Sequence, residues 1–121
     1  MEDEAVLHAL TALAQATRLA IYRLLVQTGP NGLPAGQIGE QLGLPGATLS
    51  FHLNQLRHAG LIAFRREGRS LIYAARYERM NELLAYLAEN CCQGDRSACP
   101  TPECRPTRRS SRRSPRYVRT S

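Results

Sequence analysis

The chain has 121 residues, 43% of them hydrophobic, which is enough for one small domain with a tail and too little for several cores. No apolar run approaches the roughly 18 residues that span a bilayer. The N-terminal "MEDEAVLHALTALAQ" begins acidic and lacks the basic and apolar regions of a signal peptide, so a cytoplasmic protein with no membrane partner is expected. The formal charge of +6 is unevenly placed. Residues 1–90 hold eight Arg and eight acidic residues; residues 91–121 hold eight Arg against Asp95 and Glu103, so the whole excess lies in the tail. Any affinity of the body for nucleic acid must therefore come from where its arginines stand.

In chain order, residues 4–15 place Val6, Leu7, Leu10, Leu13 and Ala14 on one helical face. A second helix, "TRLAIYRLLVQ", starts near Thr17 and is stopped by "TGPNG". A short helix follows in "LPAGQIGEQLGLPG", with Ile38 and Leu42 inward and Gly43 closing it. "ATLSFHLNQLRHAG" then carries Leu49, Leu53 and Leu56 on one stripe and ends at Gly60. "LIAFRREGRSLIYAAR" changes to a period near two and predicts a hairpin turning at Glu67-Gly68, with Arg65, Arg66 and Arg69 at its tip. The last helix, "YERMNELLAYLAEN", has Met80, Leu83, Leu84 and Leu87 on one stripe, ends near Asn90 and finds a further stop at Gly94. From Thr101 onward Pro, Ser, Thr and Arg dominate, a composition that predicts disorder. Four helices, a hairpin and a helix (αααα-ββ-α), mainly α with a β-hairpin wing, make a winged helix-turn-helix over residues 1–92, followed by a tail over 93–121.

A helix-turn-helix lays its second helix in the major groove, where short polar side chains meet base edges. With Leu49, Leu53 and Leu56 inward, the opposite face offers Thr48, Ser50, Phe51, His52, Asn54 and Gln55. The hairpin arginines 65, 66 and 69 suit phosphate or minor-groove contact beside it. A solvated helix face is the bland alternative for the helix taken alone; the succession of helix, turn, helix and basic hairpin argues against it.

"LPGATLSFHLNQLRHAGLIAFRREGRSLIYAA" closely resembles the recognition helix and wing of the ArsR/SmtB metalloregulatory repressors, and "ATRLAIYRLL" resembles that family's second helix. The resemblance covers roughly residues 5–92. Its most specific element is the register Ser50, His52, Leu53, Leu56, Ala59, Gly60, Leu61. It implies a homodimer built on the first and last helices, double-stranded operator DNA of inverted-repeat character, and repression relieved by an inducer. The family often opens its recognition helix with Ser-Gln; here Pro45-Gly46 stands there, which moves base contact toward Thr48, Ser50 and His52.

All four cysteines lie in "ENCCQGDRSACPTPEC": Cys91, Cys92, Cys99 and Cys104. In a reducing compartment such a cluster favours metal binding or redox sensing over structural disulfides. Two of the family's metal sites are absent. The segment "QIGEQLG" before the recognition helix has no cysteine, and the last helix has no His, only Glu78, Glu82 and Glu89. What remains resembles the arsenite-responsive members, which bind through a C-terminal Cys-Cys pair and a third cysteine. That likeness implies Cys91, Cys92 and Cys99 as ligands of As(III) or Sb(III) acting as inducer, with no permanent cofactor. Soft thiolates favour soft ions. Adjacent helical residues point about 100° apart, so Cys91 and Cys92 can converge only where the helix frays. Cys104 is an additional candidate ligand. Four thiols could also hold zinc or cadmium, but CC-x6-C-x4-C lacks paired knuckles. Another soft metal such as lead, or oxidation of the thiols, is the alternative stimulus.

His8 and His58 have no partner ligands at metal spacing, and the tyrosines are scattered across elements. The tail "RPTRRSSRRSPRYVRT" suits either nonspecific phosphate contact or a solvated extension. No phosphate loop or catalytic triad spacing occurs, so no enzyme is expected. A nonspecific basic DNA coater is the remaining alternative.

Overall fold

The computed structural model describes residues 1–94, in two compact units: 1–80, and the described part of 81–121. The first unit contains α1 (Asp3–Leu13), α2 (Ala16–Thr28), β1 (Leu33–Pro34), α3 (Ala35–Leu42), α4 (Gly46–His58), β2 (Ile62–Glu67) and β3 (Ser70–Ala75). The helix α5 (Tyr77–Ala88) begins in this unit and continues into the second. The expected winged helix-turn-helix is the fold observed. Among the described residues no helix is long and apolar enough to cross a membrane.

Local chemistry sets the helix boundaries. The first helix was expected to reach residue 15 but stops at Leu13, because Gln15 takes an extended conformation and caps α2: its side-chain oxygen accepts from the Arg18 backbone N–H at 2.9 Å. α3 ends at Gly43, whose left-handed backbone (φ +67°) supplies the stop that its sequence position predicts.

The core of the first unit is shared by every element of the helix-turn-helix. Ile21 and Leu25 from α2, Ile38 from α3, Leu53 and Leu56 from α4, Leu61 and Ile62 are all fully buried. α1 packs on α2 and α4 through Val6, Ala9 and Ala12, while Leu7 and Leu10 remain 62% and 37% exposed. Of the expected apolar face, Val6 is buried and Leu13 half-buried, while Leu7 and Leu10 stay outside.

The three strands form an antiparallel sheet ordered β1-β3-β2. The hairpin pairs Ile62 with Ala75 and Glu67 with Ser70, closing at residues 68–69. The two-residue β1, which pairs Leu33 with Tyr73, was not foreseen: a strand so short leaves no alternation to read. It makes β3 the central strand, and there Ile72 and Tyr73 are both buried although they are adjacent. The edge strand β2 buries only Ile62.

In the second unit, Leu83 is buried and Leu84 and Leu87 are exposed. The chain leaves the α-helical path at Asn90 (φ +59°), and Cys91–Gly94 form a short turn in which Cys92 and Gln93 also have positive φ. The helix itself ends at Ala88, close to the end expected near Asn90 and short of the further stop at Gly94. Cys99, Cys104 and the arginine-rich tail lie outside the described residues.

Candidate nucleic-acid interface and thiol pair

The turn between α3 and α4 is tightened by a close approach. Gly39 accepts the Leu44 N–H on its carbonyl at 2.9 Å, and a Cβ on Gly39 would come within 3.2 Å of the Leu44 carbonyl and 3.3 Å of the Leu49 side chain. A larger residue would push α4 away from α3. α4 then opens at Pro45, which provides no side-chain cap, so its first backbone N–H groups are not engaged by one.

Leu49, Leu53 and Leu56 are buried as expected, and the opposite face exposes Ala47, Thr48, Ser50, Phe51, Asn54 and His58. Of the candidate reading residues, Thr48, Ser50 and Phe51 are exposed and Gln55 is half-buried. Asn54 is exposed with its Oδ1 3.4 Å from Arg57 Nη2. Ala47 and His58 belong to the same face, since positions 47, 51, 54 and 58 recur at helical spacing.

His52 is the correction. It was expected on the reading face, but it is only 9% exposed and turns into the body. Its Nδ1 lies 3.2 Å from Arg18 Nη1. A guanidinium can only donate, so Nδ1 accepts and the ring proton sits on Nε2. Arg18 in turn donates from Nε to the Ala12 carbonyl at 2.7 Å. The pair thus ties the last turn of α1 to the underside of α4. Arg18 went unnoticed in the sequence because its partner is 34 residues away.

Burial lowers the His52 pKa below the ordinary imidazole value, and the positive charge of Arg18 lowers it further. With the folded value depressed, the unfolded chain binds more protons once the pH falls below about 6.5. Stability should therefore fall as pH drops through that range and level off above it. Melting temperatures between pH 5 and pH 8 check this. His52→Gln should flatten the dependence, and an equal slope in the variant would mean that other groups carry it.

At the hairpin, Arg66 and Arg69 are exposed beside the turn. Arg65 is engaged: its Nε donates to Glu67 at 2.8 Å and its Nη2 to the Asn31 carbonyl at 2.9 Å. Both side chains of the ion pair are about half exposed, so it contributes little stability, but it orients Arg65 along the edge strand. Arg57 stacks over Phe64 of β2, its guanidinium carbon 5.4 Å from the ring centre, linking α4 to the hairpin.

In the second unit the sulfurs of Cys91 and Cys92 lie 2.8 Å apart. Adjacent side chains on a continuing helix would diverge; the positive φ values at Asn90 and Cys92 bring them together. Among the described residues no group of three or more His, Cys, Asp or Glu could hold a metal ion, so this pair alone supplies at most two ligands.

A family model described as a helix-turn-helix domain matches residues 13–63. YceK of Bacillus subtilis (strain 168), described as an uncharacterized HTH-type transcriptional regulator, is 36% identical over 73 residues, covering 60% of this chain and 72% of that protein. HlyU from Vibrio cholerae N16961 has a TM-score of 0.57 at 33% identity, covering 72% of this chain and 97% of that one. The homodimeric winged helix-turn-helix DNA-binding domain of Mb0332 from Mycobacterium bovis, described as a possible ArsR-family transcriptional regulator, has a TM-score of 0.58 at 28% identity, covering 74% and 89%. With the α3–α4 turn, the exposed face of α4 and the basic hairpin in place, the chain belongs to the HTH-type transcriptional regulators, with a winged helix-turn-helix fold like that of the possible ArsR-family regulator Mb0332.

Proposed function

We propose that this protein is a cytoplasmic repressor of an arsenic-resistance operon. It holds inverted-repeat operator DNA as a homodimer and leaves it when As(III) or Sb(III) binds the C-terminal thiols. The observation that carries this reading is the convergence of Cys91 and Cys92, whose sulfurs are close enough for one ion to bridge. Trivalent arsenic takes three soft sulfurs in a trigonal pyramid. Cys99 is separated from Cys92 by six residues, a length that reaches about 20 Å when extended and so can return a third thiolate to the pair. Thr48, Ser50, Phe51 and Gln55 would face the bases, with Arg66 and Arg69 on the phosphates and Arg65 joining them from the strand edge. Homodimerisation is supported by the exposed Leu7 and Leu10 of α1 and, separately, by the exposed Leu84 and Leu87 of α5, all of which a second copy would cover.

The same sulfur proximity suits oxidation of Cys91 and Cys92 to a disulfide, which is the competing reading. Binding to labelled DNA from upstream of the gene, under strong reductant, separates the two. Arsenite should weaken wild-type binding by about 5- to 150-fold, the usual range of allosteric coupling, while Cys91→Ser/Cys92→Ser holds the DNA at every arsenite concentration. Zinc titrated in parallel should leave both complexes intact. Arsenite-resistant wild-type complexes that dissociate with cadmium, lead or an oxidant would remove arsenic from the proposal and leave the repressor.

A further inference from the structure

We infer that Phe51 reads the 5-methyl group of a thymine in the major groove and is a specificity-determining residue of the DNA interface. The inference rests on the DNA-binding reading above and adds the base feature recognised. Phe51 sits in the middle of the exposed row of α4, between Ala47 one turn before it and Asn54 and Gln55 one turn after. It is 56% exposed and is the one large apolar side chain of that row. Its neighbours Thr48, Ser50 and Asn54 can hydrogen-bond to base edges or phosphates; a phenyl ring can do neither. Among the groups that base pairs present in the major groove, the thymine methyl is the apolar one, and Phe is among the side chains suited to it. An apolar ring left in water at the centre of a DNA-facing row is stabilised when such a group covers it.

The ring is also braced. His52 meets it in an edge-to-face arrangement, with centroids 5.2 Å apart and planes at 68°. His52 is held by Arg18, and Arg18 by the Ala12 carbonyl, so the chain of contacts behind Phe51 runs into the body of the domain. Ala47, with a single methyl, leaves space beside the ring on the N-terminal side, toward the end of the helix that enters the groove.

The test uses the full-length reduced chain. A binding sequence is selected from a pool of random duplexes, and each of its thymines is then replaced singly by deoxyuridine, which removes only the methyl. Affinities are measured for wild type, Phe51→Ala and Phe51→Leu. At one thymine per half-site the wild type should lose about fourfold, the effect of one methyl-sized burial. Phe51→Leu should keep part of that sensitivity and Phe51→Ala none. Because the ring is 56% exposed, both variants should still fold, losing at most its edge-to-face contact with His52. Equal deoxyuridine penalties in wild type and Phe51→Ala would overturn the inference while leaving DNA recognition standing. A selection that enriches no sequence at all would overturn the DNA-binding reading, and this inference with it.

Discussion

Gly32→Ala should lower the unfolding free energy by about 2 kcal/mol or more, against about 1 kcal/mol for Gly43→Ala. Both glycines have positive φ, +76° and +67°, so either substitution strains the backbone of an L-residue. They differ in surroundings. A Cβ at Gly43 would meet nothing within 4 Å, whereas one at Gly32 would overlap the Tyr73 carbonyl and press on the Ile72 side chain at 3.1 Å. Tyr73 belongs to the central strand, where it pairs with Leu33, so relieving the overlap means moving β1 off β3. Asn31, whose carbonyl receives the Arg65 guanidinium, would move too, and the hairpin would lose that anchor. Urea unfolding of the reduced chain measures the difference between the two variants. Equal losses would show that backbone strain alone matters and that β1 does not lie against Tyr73 as closely as described.

Leu56→Ala should cost about 2–5 kcal/mol, enough to leave much of a small domain unfolded. Leu56 is fully buried on the inner stripe of α4, sharing the core with Ile21, Leu25, Ile38 and Leu53. Its removal deletes three heavy atoms from beneath the reading helix and leaves a cavity that α2 and the sheet can fill only by shifting. Thr48→Ala, on the exposed face of the same helix, should stay within about 0.5 kcal/mol. The two substitutions therefore separate the supporting side of α4 from its reading side. Denaturant midpoints at unchanged slope give the comparison. A loss below about 1 kcal/mol for Leu56→Ala would place the core elsewhere. DNA binding should follow stability for Leu56→Ala; for Thr48→Ala any loss of binding must come from the interface itself.

Much of this architecture was legible in the residues because its causes are local. The apolar stripe of Leu49, Leu53 and Leu56, the stop at Gly43 and the change of period at Leu61 each depend on residues a few positions apart. The reading face was legible for the same reason: once the leucines are inside, Thr48, Ser50 and Phe51 must be outside. His52 broke that logic. By spacing it stands at the border of the two faces, and the contact with Arg18 from another helix turns it inward. α1 was ambiguous in the same way. Its apolar residues cover more than one face, and the closeness of α2 and α4 decided that Val6, Ala9 and Ala12 go inside while Leu7 and Leu10 stay out.

The sequence by itself determined the order of elements, the neutral charge of the body and the confinement of every thiol to residues 91–104, since composition and short-range periodicity require no partner. Tertiary structure decided what depends on distant or conformational facts. The sheet gained β1 because the loop after α2 passes close beside Tyr73. His52 became a brace because Arg18 reaches it across 34 residues, and Arg65 was drawn to the carbonyl of Asn31. Cys91 and Cys92 became a pair because the backbone turns left-handed at Asn90 and Cys92, a choice of φ that no spacing of side chains encodes.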